Sequence, residues 1–381
     1  MNINRMRCLV GAGMIGVLAV AGCSSGSKGG GGASTTTASG GGSSSATASG
    51  GGSDTVAIDV GTGTPVKIPT KHLRIAFVAA GFNDPLSVVQ KQGIEEVAKK
   101  YGATVTTFDA QLNPDRQFNL YQNVVSSGQY DVLITLPMVG QQVCTILTKT
   151  APEKNILVVD MTLPLCGRDT NPGTDDSQWA PGTLGLVGYF GNPGFYPGLA
   201  KSCADATGGG GLILLNAPKG IPSSGTMLAG FKSESRFKVL ENYETNFSPE
   251  DGAAKTAAAL KTHPDLKVIG TTNAGLAFGA IGALQSAGRT PGKDVFVCNG
   301  LGGSAQMLDL VKQGKLTVDT YGNGRWVATA AMQSAFNAIN GKPDPRVTVP
   351  GTDGTIVKSS QEVWPKTYTK DQAASLTPTG M

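Results

Sequence analysis

Short apolar runs alternate with amphipathic stretches along most of the chain. The run LRIAFVAA, residues 73–80, has the length and composition of a buried strand, and the next stretch repeats apolar residues at steps of three and four up to Tyr101, as a helix does. The same order continues with strands at ATVTTFD, YDVLITL and NILVVD, and with helices from Pro114 to about Ser127 and from about Gly140 to Ala151. This order predicts repeated βαβ units.

A second series follows a segment interrupted by glycine and proline, TLGLVGYFGNPGFYPG. Its predicted strands are LILLNA, RFKVLENYE, LKVIGTT, DVFVCN and KLTVDTY. Ser248 and Pro249 mark one helix start, because serine caps a helix and proline fits its first turn. The stretch PKGIPSSGTMLAGF is expected to be a loop. Two series separated by a break predict two lobes, each with a parallel sheet covered by helices on both faces.

The N-terminal segment differs from both series. Arg5 and Arg7 precede an uncharged apolar run, Cys8–Val20, which is too short to span a bilayer and has the order of a secretory signal. The run ends in Val20-Ala21-Gly22-Cys23, which resembles the bacterial lipobox. We therefore predict a signal peptide over 1–22 and a lipidated Cys23 that anchors the protein to the outer side of the cell membrane. An ordinary signal peptide cut elsewhere is the alternative.

Glycine, serine, threonine and alanine make up nearly all of the next stretch, 23–54. Such a segment buries too little apolar surface to offset the entropy of folding, so we predict a disordered linker. The formal net charge of the whole chain is only +4, and no basic patch indicates a nucleic acid partner. The remaining residues are expected to form a monomeric extracytoplasmic protein.

Four of the six cysteines lie beyond the predicted anchor, in an oxidising compartment, and they are Cys144, Cys166, Cys203 and Cys298. Cys144 is expected early in a helix and Cys166 in the loop after the following strand, so we predict a disulfide between them. Cys203 and Cys298 would then be buried thiols, with a bridge between them as the alternative. No cysteine and histidine cluster has zinc spacing, and neither a metal nor a cofactor is expected.

Over about residues 71–360 the chain resembles a type I periplasmic binding protein of the ribose-binding branch. The likeness lies in the order and spacing of IAFVAAGFNDPLSVVQKQGIEEVAKKYGATV, QYDVLITLP, ILVVDM, VIGTTNAGLAFGAIGALQSAG and GKLTVDTYG. It implies an α/β fold of two Rossmann-like lobes with parallel sheets, joined by a three-segment hinge. The N-terminal lobe would comprise 71–190 and about 323–350, and the C-terminal lobe 191–321 and about 355–381.

The resemblance also implies a function. Its members clamp a ligand between the lobes and deliver it to the permease of an ABC importer, and we expect hinge bending near Gly191-Asn192, Gly322 and Gly351–Gly354. An extracytoplasmic sensor that presents its bound state to a membrane receptor is the alternative. An enzyme is not expected, because no GxSxG motif is present and neither histidine lies at the carboxyl end of a strand.

Small molecules bind open parallel sheets beyond the carboxyl ends of the strands. Candidate ligand contacts at those ends and at the crossings are Phe82, Asn83, Asp84, Leu86, Thr135, Asp160, Met161, Phe190, Asn273, Asn299, Tyr321 and Asn323. Asp84, Asp160 and Asn273 also match positions that contact sugar hydroxyls in the family, although Asp84 and Asn273 have helix capping as an alternative role. Leu86 and Met161 stand where the family often has an aromatic residue and an arginine.

Ring faces for the ligand are expected from Phe82, Phe190, Tyr321 and Trp326. No arginine is placed to pair with a carboxylate or a phosphate. The sequence therefore predicts a neutral sugar or a similar polar ring compound as the ligand.

Overall fold

The computed structural model describes residues 54–82, 84–168, 176–188, 194–218, 221, 223–320, 324–350, 356–358 and 367–376. They belong to one compact unit, Gly52–Met381. The predicted linker, Cys23 and the expected hinge positions near residues 191–192, 322 and 351–354 lie outside the described residues.

The described strands, in chain order, are β1 (Thr55–Ile58), β2 (Val66–Pro69), β3 (Arg74–Ala79), β4 (Thr104–Asp109), β5 (Val132–Thr135), β6 (Leu157–Met161), β7 (Gly185–Val187), β8 (Gly210–Asn216), β9 (Phe237–Glu244), β10 (Val268–Asn273), β11 (Phe296–Leu301), β12 (Asp319–Thr320), β13 (Val347–Pro350), β14 (Ile356–Lys358) and β15 (Thr367–Tyr368). The described helices are α1 (Pro85–Tyr101), α2 (Pro114–Ser127), α3 (Ala151–Glu153), α4 (Phe195–Thr207), α5 (Ser223–Ser233), α6 (Pro249–Thr262), α7 (Ala274–Ser286), α8 (Ala305–Lys312), α9 (Gly324–Ile339) and α10 (Lys370–Ala373).

Two sheets organise the fold. The first has the order β14-β13-β7-β6-β5-β3-β4 and is parallel except for β14, and the second has the order β11-β10-β8-β9 and is parallel throughout. Their central strands are buried along their whole length because helices cover both faces. The predicted α/β architecture with parallel sheets is confirmed.

Local signals define the helix ends. The side chain of Asn113 accepts a hydrogen bond from the backbone of Arg116 at the start of α2, and the side chain of Ser248 does the same for Asp251 at the start of α6. Gly102 ends α1 in the left-handed conformation, with φ 65°. These ends were predictable because capping depends on residues that are close in sequence.

Three segments differ from the sequence predictions. The stretch 218–231 contains α5 instead of being a loop, because Met227 and Phe231 lie one turn apart and are both buried. The expected helix before β6 is a π-helical turn, Ile146–Thr150, followed by α3, since Pro152 lacks the N–H that would bond to the Thr148 carbonyl. Strand β14 pairs with β13 in the first sheet, whereas the sequence analysis assigned it to the second lobe.

A β1–β2 hairpin precedes the first sheet, in a region for which the sequence analysis predicted no element. Its backbone bonds to residues just before the strands of that sheet, with Lys67 N–H donating to Asn155 Oδ1 at 2.9 Å and Gly182 N–H donating to the Val60 carbonyl at 2.7 Å. The hairpin therefore covers the amino ends of the strands. Its buried apolar residues are Ile58, Val60, Val66 and Ile68.

Two disulfides are present in the described residues. The expected bond joins Cys144 to Cys166. Cys203 and Cys298 are also joined, so they are not the buried thiols of the first expectation. This second bond connects α4 to β11, which pack against each other within the second lobe, and sequence separation alone could not show that contact.

Gln90 is fully buried in α1, and neither its Oε1 nor its Nε2 has a hydrogen-bond partner among the described residues. A buried amide without partners is destabilising by about 1–3 kcal/mol. We expect Gln90→Leu to raise the free energy of unfolding by about 1 kcal/mol or more in urea denaturation.

The matched control for Gln90 is Gln117, whose buried amide donates to the Leu136 carbonyl at 2.8 Å and accepts from Met138 N–H at 2.9 Å. Gln117→Leu should lower the free energy of unfolding. A loss of stability in both variants would contradict the interpretation of Gln90.

Candidate functional site

A cavity lies where the carboxyl ends of both sheets face each other, and the space between its lining atoms, open solvent included, is about 530 Å³. The first sheet contributes residues that follow β3, β5 and β6, and the second contributes the ends of β10 and β11. The described lining residues are Ala80, Asp84, Leu86, Leu112, Leu136, Met138, Thr162, Leu163, Ile221, Ser223, Phe247, Thr272, Asn273 and Leu301.

Two helix N-termini meet at this cavity. Asp84 caps α1, with Oδ1 accepting from Leu86 N–H at 3.3 Å, and Asn273 caps α7, with Oδ1 accepting from Leu276 N–H at 3.1 Å. Asn273 Nδ2 also donates to the Phe247 carbonyl at 3.3 Å. Both candidate residues therefore act as caps and line the cavity at the same time.

The electrostatics of Asp84 depend on both lobes. Burial raises the pKa of its carboxyl to about 6, and hydrogen bonding from Leu86 N–H and from the Asn273 side chain opposes that rise. The carboxylate is thus mostly ionised at neutral pH although it is buried. It can accept hydrogen bonds from a ligand, and it disfavours a bound anion.

Asp160 lies at the end of β6 with only 2% of its surface exposed, and its Oδ1 has no hydrogen-bond partner among the described residues. Burial raises the pKa of this carboxyl well above its usual range, while hydrogen bonds from Met161 N–H and Leu165 N–H oppose that shift. It does not line the cavity described above. Its role in ligand binding stays a prediction.

Four other candidates are described but do not line this cavity. Thr135 is buried and its hydroxyl bonds to the Tyr121 hydroxyl on α2, and Met161 is buried in the core. Phe82 packs edge-on against Phe77, with ring centroids 6.4 Å apart. Strand ends carry side chains on both faces, so position at a strand end did not separate these residues from those that face the cavity.

Asn299, the fourth, belongs to a buried polar cluster of the second lobe. Its Nδ2 donates to Asp319 Oδ1 at 2.8 Å, its Oδ1 accepts from the Thr271 hydroxyl at 2.8 Å, and the Tyr368 hydroxyl donates to Asp319 Oδ2 at 2.6 Å. Burial raises the pKa of Asp319 to about 6 against the hydrogen bonds from Tyr368 and Asn299. The cluster ties β10, β11, β12 and β15 together.

Of the remaining candidates, Asn83, Phe190, Tyr321 and Asn323 lie outside the described residues. Trp326 does not face the cavity, because it lines a surface groove between α1 and α9 together with Glu96 and Lys100.

Several lining residues were not predicted from the sequence, among them Thr162, Ser223, Phe247 and Thr272. Phe247 had a usable signal, since it lies directly before the predicted cap Ser248 on the loop that leaves a strand. Its φ of 66° is rare for a residue with a side chain, so the loop holds it in an unusual conformation. Ser223 had none, because its segment was expected to be a loop.

Comparison with known proteins supports this architecture. The family described as the periplasmic binding protein domain matches residues 75–343. The chain belongs to the periplasmic binding proteins of type I, in the ribose-binding branch. Two curated relatives are ribose import binding proteins named RbsB. The one from Bacillus subtilis is 22% identical over 71% of this chain and 83% of its own length. The one from Escherichia coli is 26% identical over 70% of this chain and 85% of its own length.

Solved structures show the same fold for this periplasmic binding protein. One, from Mycobacterium smegmatis in complex with β-D-fucofuranose, is 20% identical with a TM-score of 0.65 and covers 80% of this chain and 93% of its own. Another, an ABC transporter solute-binding protein from Agrobacterium vitis with bound D-fucose, is 18% identical with a TM-score of 0.67 and covers 81% and 99%.

Membership places the protein among sugar-binding proteins of ABC transporters, which capture solutes and are not enzymes. It also implies an extracytoplasmic location. In the part of the chain that the structure describes, no helix is long and apolar enough to cross a membrane.

Proposed function

We propose that this periplasmic binding protein captures a neutral sugar or a similar neutral ring compound in the cavity between its lobes and delivers it to the permease of an ABC importer. The observation that carries the proposal is the meeting of α1 and α7 at one cavity, each with a polar cap residue that faces it. Asp84 comes from the first lobe and Asn273 from the second, so one ligand can contact both. The curated relatives from Bacillus subtilis and Escherichia coli are import binding proteins, which supports the same proposal.

The charge of the cavity supports a neutral ligand. None of the described residues that line it carries a positive charge, and the Asp84 carboxylate occupies the N-terminus of α1, where an anion would otherwise bind. A ligand carboxylate or phosphate would be repelled there. Hydroxyl groups, in contrast, can donate to this carboxylate.

The test is a binding screen of the full chain by thermal shift and calorimetry, with neutral sugars, cyclic alcohols and acidic metabolites. We expect stabilisation by neutral compounds alone. Binding of acidic compounds only would contradict the proposal.

Asp84→Asn is expected to weaken the binding of a neutral ligand about ten- to a hundredfold, because it removes a charged acceptor from a buried site. Asparagine caps helices as well as aspartate does, and burial disfavours the charged form of Asp84, so the substitution should not destabilise the unliganded protein. Calorimetric titration of both proteins with the best ligand of the screen measures the difference.

The matched control is Asp251→Asn, in the first turn of α6, where the carboxylate accepts from Asn246 N–H at 3.0 Å and does not line the cavity. It should bind as the unmodified protein does. Equal affinity of the Asp84 variant and this control would show that the site is misplaced.

We further propose that lipidated Cys23 anchors the mature protein, which the lipobox-like sequence Val20-Ala21-Gly22-Cys23 supports. Mass spectrometry of the membrane-extracted protein should find an acylated N-terminal cysteine. Cys23→Ala should release the protein from the membrane fraction. An unmodified N-terminus at another residue would disprove the anchor.

A further inference from the structure

On the basis of the proposed function, we propose that the ligand is a sparsely hydroxylated neutral ring compound, such as a deoxy sugar or a cyclic diol, rather than a fully hydroxylated sugar. The inference follows from the balance of polar and apolar groups around the cavity.

Few polar atoms in the described lining are available to a ligand. Asn273 uses its Oδ1 toward Leu276 N–H and its Nδ2 group toward the Phe247 carbonyl and the Asp84 carboxyl. The Thr272 hydroxyl donates to the Leu215 carbonyl at 3.2 Å. The hydroxyls of Thr162 and Ser223 have no hydrogen-bond partner among the described residues. Together with the Asp84 carboxylate they form a small polar set drawn from both lobes.

Hydrocarbon forms most of the remaining wall. The apolar side chains that face the cavity from the first lobe include Leu112, Leu136, Met138 and Leu163, and the second lobe adds Phe247 and Leu301. These side chains form no hydrogen bonds, so a hydroxyl against them loses its bonds to water and gains no replacement. A C–H face or a methyl group at the same place is favourable there.

A ring with a hydroxyl on every carbon presents more oxygen atoms than the hydroxyls of Thr162 and Ser223, the donors left in the described lining, can bond. A ring that lacks one or more hydroxyls can direct those that remain at Asp84, Thr162 and Ser223 and pack its apolar face on the wall. We therefore expect the full chain to prefer the member of a matched pair that lacks a hydroxyl, by about ten- to a hundredfold.

Calorimetric titration of the full chain with matched pairs tests this preference. The pairs are D-fucose against D-galactose, 6-deoxy-D-glucose against D-glucose, and trans-1,2-cyclohexanediol against myo-inositol. We expect the deoxygenated member to bind more tightly in at least one pair, and the hydroxylated member to bind more tightly in none. Equal or tighter binding of the hydroxylated members overturns the inference and leaves the proposed function in place, whereas binding of none of these compounds overturns both.

Met138→Gln tests the wall directly, because glutamine has nearly the shape of methionine and adds an amide. It should reduce the preference for the deoxygenated member by at least about fivefold, while the apolar control Met138→Leu should keep it. If both variants prefer the deoxygenated member equally, the apolar wall at Met138 is not the cause of the preference. If Met138→Gln lowers the melting temperature, Leu301→Asn, at a partly exposed position of the wall, replaces it.

Discussion

Replacing Cys203 and Cys298 together by alanine is expected to lower the free energy of unfolding by about 5 kcal/mol. The bond joins residues 95 positions apart, so its loss frees a long loop in the unfolded chain. Both residues are fully buried, and no other covalent link joins α4 to β11 among the described residues. Urea denaturation of the double variant at neutral pH measures the effect.

The second disulfide is the internal control for this explanation. Cys144 and Cys166 are only 22 positions apart, and removing that bond in the same way should lower the free energy of unfolding by about 3 kcal/mol. If the shorter connection turned out to contribute as much as the longer one, loop entropy would not be the cause. Strain or local packing would then have to explain the difference.

Asp160→Asn is expected to raise the free energy of unfolding at pH 7, because burial disfavours the charged form of this carboxyl and asparagine has no charged form. The carboxyl is buried with Oδ1 unpaired, and asparagine keeps the shape of the side chain without a group that can ionise. Urea denaturation at several pH values measures the change. If Asp160 contacts the ligand, as its likeness to sugar-binding positions implies, the same variant should bind less tightly while it is more stable.

The buried Asp160 carboxyl also makes the free energy of unfolding depend on pH. Burial raises the pKa of Asp160 in the folded protein, so the folded state binds the proton more tightly than the unfolded state does. The resulting stabilisation is complete below the unfolded pKa and is lost as the pH rises through the folded pKa. The variant should therefore show a flatter decline of stability with rising pH.

Asp131 is the matched control, since it is also buried but pairs with Arg74 at 2.7 Å. Asp131→Asn should lower the free energy of unfolding at pH 7, because it weakens a hydrogen-bonded ion pair. If both substitutions raised the free energy of unfolding, the missing hydrogen-bond partner of Asp160 would not explain the stabilisation.

The sequence predicted the alternation of strands and helices because the signals for each are local. A run of apolar residues specifies a buried strand, and Ser248 with Pro249 specifies a helix start, whatever lies elsewhere in the chain. The place of β14 was not predictable, because its partner β13 is determined by how the chain returns from the second lobe. The same holds for the bond between Cys203 and Cys298, which lie on different elements.

Part of the cavity lining was predictable, because the position of a residue relative to a strand is a local signal. Asp84 lies on the loop that leaves β3 and Asn273 is the last residue of β10, so the rule for open sheets places them at the cavity. Phe247 and Ser223 reach it from loops and helices whose paths depend on tertiary packing. Asn299 ends the predicted strand DVFVCN but lies inside β11, where its side chain points to Thr271 and Asp319 and completes a polar cluster inside its own lobe.

The β1–β2 hairpin determines where the protein can be shortened. A recombinant version that begins at Lys71, where the likeness to the family starts, would lose the aliphatic side chains that the hairpin buries against the first sheet. It would also leave Arg346 without the Asp59 carboxylate, 2.8 Å away. Such a truncation would expose apolar surface next to the strand ends and favour aggregation, so soluble versions should begin before Thr55.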